Sequence, residues 1–248
     1  MGEPFARYLL FKGVAVGLFS GYPVIESNSS NKSVPSPPRL KTINRESNST
    51  MKTMKAEKHG LEIERRFFVQ NGVHAPWKVE ANSTSIQQFY LDAEELDVVD
   101  GVLFHGRDIP ILALEGDEVN LFHAQEKWTY RIRYRNERTL LTLKGRRKGA
   151  TALEMEWDIA RNLGERLVAT GHYAYVKKTR YTWAHTDGLI WEVDEFEEGL
   201  KGLILAEVEL PSEEHPVAIP TWAVLELTGN GSWSNSSLAY TTNQLTNR

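Results

Sequence analysis

Hydrophobic and charged residues alternate with a period of two in short runs that begin at Leu61. This alternation is typical of β-strands, because successive side chains of a strand point to opposite faces. Turn signals separate the runs, and Asn136-Glu137 and Asp187-Gly188 predict tight hairpins. The pattern predicts eight strands, at about residues 61–69, 85–91, 129–136, 138–144, 153–160, 177–185, 188–196 and 203–210.

A helical period replaces the strand pattern in three places. Residues 161–176 carry apolar side chains at helical spacing and predict a helix. Residues 220–229 and 236–244 predict short terminal helices, and Pro220 suits a helical first turn. The acidic segment 93–128 contains apolar pieces, and we interpret it as a structured insertion or a long hairpin between two core strands.

The first 59 residues differ from the rest in composition. Residues 8–25 are mildly apolar and too weak for a transmembrane helix, but they fit a signal-peptide core, a signal anchor or part of an organellar presequence. Residues 26–59 are rich in Ser, Asn, Pro and Lys, which predicts a disordered linker. Alternatively, the native chain starts at Met51 or Met54. We therefore expect a cytoplasmic or organellar protein with residues 1–59 as a disordered or targeting extension.

Charged side chains share one face of nearly every predicted strand. The intervening positions are mostly apolar, as at Ile63, Ile132 and Met155. Each strand is therefore two-sided, with an apolar face and a charged face. Seven of the eight strands show this spacing, at Glu62-x-Glu64-x-Arg66, Arg131-x-Arg133-x-Arg135, Thr142-x-Lys144, Glu154-x-Glu156-x-Asp158, Lys178-x-Arg180, Glu192-x-Asp194 and Glu207-x-Glu209.

A sheet with one solvated face alternates in the same way, and that explanation suffices for any single strand. The whole set favours another interpretation, because acidic pairs recur on four strands and basic residues on the others. If eight antiparallel strands close on themselves, one face becomes the interior. Helices and the insertion can then cover the apolar faces. We therefore expect a mainly β fold, a closed eight-stranded antiparallel barrel with a charged interior and surrounding helices.

An interior lined by charges of both signs would be costly without ions to bind. Carboxylates hold Mg²⁺ or Mn²⁺, and Arg and Lys bind phosphate oxygens. Together they predict a metal–polyphosphate ligand. Cysteine is absent, which excludes disulfides, thiolate metal sites and a cysteine nucleophile. Residues 1–59 carry a net charge of +5 and residues 60–248 a net charge of −9, which argues against a broad nucleic-acid-binding surface.

The segment from Glu62 to Val69, EIERRFFV, resembles the opening Glu-x-Glu-x-Lys strand of the CYTH superfamily, the triphosphate tunnel metalloenzymes. The resemblance covers about residues 61–244, is interrupted by 93–128, and implies a CYTH domain over residues 60–248. The later segments follow the family's order, with YRIRY at 130–134, LLTLKG at 140–145, LEMEWDI at 153–159, VKKTRYTW at 176–183, LIWEVDEFEEGLKGLILAEVEL at 189–210 and LELTGNGSWSNSSLA at 225–239.

The resemblance implies hydrolysis of inorganic, thiamine or RNA triphosphates or, in one branch, adenylyl cyclase activity. It also implies a tunnel of eight antiparallel strands that depends on Mg²⁺ or Mn²⁺. The residues that it implies bind metal are Glu62, Glu64, Asp194, Glu207 and Glu209. The phosphate-binding set is Arg131, Arg133, Lys144, Lys178 and Arg180. The catalytic set is Glu62, Glu64, Arg66 and Glu192, while Glu154 and Glu156 line the tunnel in roles left open between second-metal binding, water orientation and pairing with basic residues.

Two residues depart from the family pattern. Arg66 stands where the family usually has Lys, and an arginine stays protonated and cannot act as a general base. Ala152 stands where bacterial relatives often have an Arg, so one phosphate contact is expected to be missing. The basic run 146–148 could compensate, but we expect it to form a solvated turn. These departures affect the expected rate and substrate more than the fold.

Three functions follow from this reading. The first is a divalent-metal-dependent triphosphatase acting on a small-molecule triphosphate, preferentially inorganic triphosphate. The second is a class IV-type adenylyl cyclase. The third is a non-catalytic module that binds polyphosphate or nucleotide, which the two departures favour. The sequence also leaves a homodimer open.

Overall fold

A computed structural model of the protein describes residues 56–70 and 75–246. The predictions of a disordered linker, a targeting segment and an alternative start at Met51 or Met54 fall almost entirely on residues outside these ranges. Within the described part, the first strand already begins at Ala56, inside the segment predicted as linker. No helix among the described residues has the length and apolar character needed to cross a membrane.

The eight predicted strands are all present, and four more accompany them in the described residues. The strands are β1 (Ala56–Val69), β2 (Asn82–Leu91), β3 (Leu96–Val99), β4 (Val102–His105), β5 (Ile109–Ala113), β6 (Trp128–Arg135), β7 (Arg138–Gly145), β8 (Thr151–Asp158), β9 (Ala174–Ala184), β10 (Ile190–Phe196), β11 (Ile204–Glu209) and β12 (Ala223–Glu226). The helices are α1 (Trp77–Glu80), α2 (Gly116–His123), α3 (Arg161–Val168) and α4 (Asn235–Thr246).

Eight of the strands close into an antiparallel barrel, as predicted. The order around the barrel is β1, β8, β7, β6, β2, β9, β10 and β11, and β11 pairs again with β1. The long β1 makes closure possible because its two halves have different partners on its two sides. Ile63 is opposite Thr151 of β8, while the next residue, Glu64, is opposite Glu209 of β11. One face of every strand in this ring therefore becomes interior.

The apolar faces point outward and are covered, as the alternation requires. Over β6, β7 and β8 the buried Leu141, Met155 and Trp157 pack against apolar residues of the insertion and of α3. Over β1, β10 and β11 a second cluster includes Trp77 and Trp191. Burial of these rings and aliphatic chains supplies the hydrophobic free energy that holds the charged face inside.

Segment 93–128 is a structured insertion. The strands β3, β4 and β5 form a separate three-stranded sheet, and α2 follows them. Leu103 and Leu112 are buried against the barrel's outer face. Trp157 of β8 donates a hydrogen bond from Nε1 to Glu118 Oε1 of α2 at 3.2 Å, which ties the insertion to the barrel. Its acidic residues lie largely on the exposed side, which reconciles its charge with its apolar pieces.

The C-terminal segment closes one end of the barrel. Trp233 and Leu238 pack in one cluster with Val176, Phe196 and Leu205, which continue the interior faces of β9, β10 and β11. The interior thus changes from charged to apolar where α4 covers it. We call this end the plugged end.

Two helix predictions need correction. The helix predicted over 161–176 ends at Val168, and β9 begins at Ala174, because residues 174–176 pair with β2. Residues 220–229 are not helical: they contain β12, which pairs with β1 at Phe67–Val69. Pairing with an open strand edge outweighs local helix signals there. The helix predicted at 236–244 is confirmed within α4, and the hairpin at Asn136 is confirmed as a two-residue turn, with Asp187-Gly188 in a longer one.

Candidate active site

The interior of the barrel holds nearly all the residues that the two-residue spacing selected. They belong to seven strands and form a continuous set of ion pairs. Glu209 lies two residues beyond Glu207 on the same face and is exposed at the strand's end. The paired residues are Glu62, Glu64, Arg66, Arg131, Arg133, Lys144, Glu154, Glu156, Lys178, Arg180, Glu192, Asp194 and Glu207.

Three carboxylates surround one lysine in what we call the Lys144 cluster (Glu62, Glu64, Lys144 and Glu154). Lys144 Nζ contacts Glu62 and lies 3.2 Å from Glu154 Oε2 and 3.8 Å from Glu64 Oε2. Burial raises the pKa of Glu62 to about 7, with help from the negative charges of Glu154 and Glu64 against the opposing effect of Lys144. This cluster therefore has more carboxylate than its lysine neutralises.

Glu154 behaves differently from Glu62 in the same cluster. Burial alone would raise its pKa, but the positive charges of Arg131, Lys144 and Arg133 outweigh burial and lower the pKa to about 2. Glu154 is therefore a permanent anion that faces the arginines of β6. Glu62, by contrast with Glu154, changes its charge near neutral pH.

A second network, the Arg180 cluster (Lys178, Arg180, Glu192, Asp194 and Glu207), lies deeper. Arg180 donates two hydrogen bonds of 2.7 Å to Asp194 and also contacts Glu192 and Glu207. Lys178 Nζ donates to Asp194 Oδ2 at 2.5 Å. Burial opposes ionisation of Asp194, but Arg180 and Lys178 outweigh it and lower its pKa. Burial lowers the pKa of Lys178 to about 8.

Arg66 joins the two clusters. Its Nη2 lies 2.9 Å from Glu64 Oε1 and 2.6 Å from Glu207 Oε1, and its Nη1 donates to the backbone oxygen of Trp233 at 3.2 Å. Burial would lower its pKa, but Glu207 and Glu64 raise it. The arginine at this position thus acts as a fixed positive charge that links carboxylates to the plugged end.

The arginines of β6 are the under-coordinated part of the interior. Arg131 Nη2 donates to Thr142 Oγ1 at 2.9 Å and lies 3.4 Å from Glu156 Oε2, while Arg133 Nη1 is 3.9 Å from that oxygen. The Nε atoms of Arg131 and Arg133 are buried and have no hydrogen-bond partner among the described residues. Burial and the neighbouring Arg131 lower the pKa of Arg133. Buried guanidinium donors without partners fit an anionic ligand.

A cavity of about 390 Å³ opens onto Arg131. Its charged lining comes from β1, β6, β7 and the β7–β8 turn, and the loop at 228–231 and the start of α4 form its other side. The charged residues that line it are Glu64, Arg66, Arg131, Lys144, Arg146 and Arg147. A larger cavity, of about 890 Å³, lies between the insertion and α4, but its charged lining is acidic apart from Lys127 and its histidines. The smaller cavity is therefore the one suited to phosphate.

Sequence reasoning missed two contributors to this cavity. The prediction that 146–148 forms only a solvated turn is wrong for Arg147, whose Nη2 lies 2.5 Å from Glu64 Oε1. Tyr90 of β2 is buried, lines the cavity and accepts a 2.5 Å hydrogen bond from Gln88 Nε2. The signal for the latter was present, since Gln88-x-Tyr90 repeats the two-residue spacing on the remaining barrel strand.

The interior carboxylates have the chemistry of a hard-cation site, since Mg²⁺ and Mn²⁺ favour oxygen ligands. In the described part of the chain, however, no three carboxylates or histidines stand close enough to hold one ion as they are placed. Glu62, Glu64 and Glu154 instead converge on the ammonium group of Lys144. The donor types fit a divalent cation there, and binding would exchange a lysine contact for a metal contact.

Comparison with known proteins gives two relatives of similar type. An inorganic triphosphatase of Acetivibrio thermocellus is 35% identical over 119 residues, which cover 48% of this chain and 75% of that protein. An inorganic triphosphatase of Nitrosomonas europaea is 33% identical over 111 residues, covering 44% and 73%. The crystal structure of the inorganic triphosphatase NE1496 aligns with 72% of this chain and 97% of its own, at 26% identity and a TM-score of 0.45. No family model matches the chain.

Proposed function

This chain belongs to the CYTH-like inorganic triphosphatase family, and we propose that it hydrolyses a triphosphate inside its barrel with the help of Mg²⁺ or Mn²⁺. Inorganic triphosphate is the preferred substrate, because both relatives are named for it and five of the six charged residues that line the cavity are basic. The products are orthophosphate and diphosphate.

The observation that carries this proposal is the pair of buried arginines on β6. Among the described residues, Arg131 and Arg133 each keep a buried Nε–H without a partner, and Arg131 lines the cavity together with further cations. A polar donor left unpaired in the interior costs free energy. Phosphate oxygens would satisfy both donors and offset the repulsion between the two guanidinium groups, so a polyanion is the ligand that this half of the barrel favours.

The proposed binding roles follow the charge distribution. We assign phosphate contacts to Arg131, Arg133, Lys144, Lys178 and Arg180, of which Arg131 and Lys144 line the cavity. The carboxylates that would hold the cation are Glu62, Glu64, Asp194, Glu207 and Glu209. A bound divalent ion supplies neutralisation of the charge on the phosphoryl oxygens.

The proposed chemistry is in-line attack of water on a terminal phosphorus, with cleavage of the bridging P–O bond. Glu192 is assigned to orient this water and accept its proton, because its side chain is 35% exposed while those of its partner Arg180 and of the neighbouring Asp194 are 9% and 2% exposed. Arg66 stays protonated and stabilises Glu64 and Glu207 rather than removing a proton. Glu154 and Glu156 hold the β6 arginines in place.

A non-catalytic polyphosphate-binding module is the second candidate. It is favoured by the ion pairs that Arg66 and Arg180 make with Glu64, Glu207 and Asp194. If those pairs persist with ligand bound, phosphate would be held without a cation beside it. Turnover is therefore the property that separates the two candidates.

The test is phosphate release by the full chain from inorganic triphosphate, ATP and thiamine triphosphate, with Mg²⁺ or Mn²⁺. A Glu62→Gln/Glu64→Gln variant removes the proposed metal oxygens, and Glu165→Gln on the exposed face of α3 is the matched control. We expect metal-dependent release by wild type and Glu165→Gln and loss in the double variant. Tight binding of triphosphate without release would favour the binding module, and cyclic nucleotide from ATP would favour a cyclase.

A further inference from the structure

The turn between β7 and β8 is held in a defined shape. Lys148 and Thr151 exchange backbone hydrogen bonds of 2.8 and 3.0 Å, and Gly149 between them has a φ of +59°, which favours glycine. The turn is also attached to β1, because Glu64 N donates to Ala150 O at 3.1 Å. Side chains that leave this turn therefore start from fixed positions at the edge of the cavity.

Arg147 is the residue of this turn that points into the barrel. Its Nη1 donates to Ala150 O at 2.5 Å, and its Nη2 lies 2.5 Å from Glu64 Oε1 and 3.8 Å from Glu62 Oε2. Its neighbours Arg146 and Lys148 are exposed. Arg147 of the turn thus contacts both Glu62 and Glu64 of β1.

The neighbouring strand position has room for such a cation. Ala152 occupies the interior face of β8 directly opposite Glu62, so β8 contributes only a methyl group there. The cavity beside it is bordered by Arg66, Arg131 and Lys144 as well as by Arg147. Arg147 differs from the other three because it comes from a turn, whereas they come from barrel strands.

We propose that Arg147 is a substrate-binding residue that exchanges partners: it pairs with Glu64 while the cavity is empty of substrate and binds the oxygens of an entering triphosphate. The exchange removes one of the two guanidinium groups that contact Glu64 Oε1 and so favours a contact between Glu64 and the cation. Phosphate is the better partner for a guanidinium group, since it offers several charged oxygens in bidentate geometry. This inference rests on the proposed function and adds a residue that the ordered strand motifs do not contain.

The exchange predicts that Arg147→Ala weakens the binding of substrate and strengthens the binding of the metal ion. The KM for inorganic triphosphate should rise about tenfold to a hundredfold, the loss expected for one charge-assisted contact, with a smaller change in kcat. The affinity for Mn²⁺ alone, measured by calorimetry without substrate, should rise by about twofold to fivefold, because Glu64 and Glu62 lose a competing positive charge. A purely structural role of Arg147 would weaken both.

Three further variants sharpen the test. Lys148→Ala removes a positive charge from the same turn and should leave KM and Mn²⁺ affinity unchanged. Arg147→Lys should recover part of the KM, since charge is retained without the bidentate geometry. Ala152→Arg added to Arg147→Ala should restore KM by supplying a guanidinium group from the adjacent interior position. Circular dichroism and thermal unfolding verify that each variant folds.

An Arg147→Ala variant with unchanged KM and unchanged Mn²⁺ affinity overturns the inference, and so does loss of kcat with an unchanged KM. If wild type releases no phosphate, the proposed function fails and calorimetric binding of inorganic triphosphate replaces KM. Weaker triphosphate binding by Arg147→Ala, with Lys148→Ala unaffected, would still support the partner exchange. Equal binding by all three proteins would overturn it.

Discussion

The Lys144 cluster and the Arg180 cluster both combine carboxylates with basic side chains, but they shift the pKa of a buried carboxylate in opposite directions. Around Lys144, three carboxylates share one lysine, and the pKa of Glu62 rises to about 7. Around Arg180, Asp194 is held by two basic groups and its pKa is lowered. In the first cluster Glu62 takes up a proton near neutral pH, while in the second the basic groups keep Asp194 ionised. We infer that the carboxylates of the former exchange partners when ligands bind, while the ion pairs of the latter also hold the strands together.

The largest expected effect is on the Arg180 cluster. Asp194→Ala leaves Lys178 and Arg180 buried with less compensating charge and should lower the free energy of unfolding by about 3–5 kcal/mol. Urea denaturation measures it. Asp158→Ala is the matched control, because its pair with Arg138 is exposed and should contribute less than about 1 kcal/mol. Equal losses in the two variants would remove the distinction between the clusters.

The next effect is on activity and concerns the Lys144 cluster. Glu62→Gln removes a proposed metal oxygen and should reduce triphosphate hydrolysis by about a hundredfold or more, as loss of metal-site groups does. The free energy of unfolding should change by less than about 1 kcal/mol, because Glu62 is already close to half protonated at pH 7. Steady-state kinetics and urea denaturation together measure whether Glu62→Gln lowers activity without lowering stability. A large loss of stability with full activity would contradict the assignment of Glu62 as a metal ligand.

The strand pattern predicted which residues of the two clusters face the barrel interior, but not which of them contact one another. A period of two placed Glu62, Glu64 and Asp194 on one face before any pairing was known, because strand geometry alone sets that face. It could not show which carboxylates share a cation, since this depends on register across the barrel. Arg147 was missed because its direction comes from the turn at Gly149 and not from strand alternation.

The C-terminal region shows a second limit of sequence reasoning. Residues 223–226 were predicted as helix from local signals, but they form a strand because β1 extends past β8 and leaves an edge to pair with. Likewise, helical spacing predicted α4 but not that it covers the plugged end. Both features depend on contacts between segments distant in sequence, which local patterns do not encode.

A smaller effect is expected from pH and again distinguishes the clusters. The pKa of Glu62 is raised from 4.5 to about 7, so the folded protein without metal binds an extra proton between these values. The contribution of Glu62 to stability is therefore complete below pH 4.5 and lost as the pH rises through 7. Because metal ligands must be deprotonated, Mn²⁺ affinity should fall about tenfold per pH unit below 7. Calorimetry from pH 5.5 to 8 measures the affinity, and the pH dependence should disappear in Glu62→Gln.

The smallest expected effect concerns Tyr90, an uncharged residue that lines the cavity. Tyr90→Phe removes the acceptor of the 2.5 Å hydrogen bond from Gln88 and should cost about 1 kcal/mol of stability. The rate with inorganic triphosphate should change by less than about threefold, since no charge is lost. Kinetics on this variant beside wild type test whether binding in the cavity depends on charge; a loss matching that of Glu62→Gln would assign Tyr90 a direct role.

The most direct test of the central claim is orthophosphate release from inorganic triphosphate with Mn²⁺ by the full chain, measured beside folded Glu62→Gln/Glu64→Gln. The account predicts release by wild type that requires the metal and falls at least about a hundredfold in the double variant. Equal rates in the two proteins, or no release by the folded wild-type chain, would contradict it.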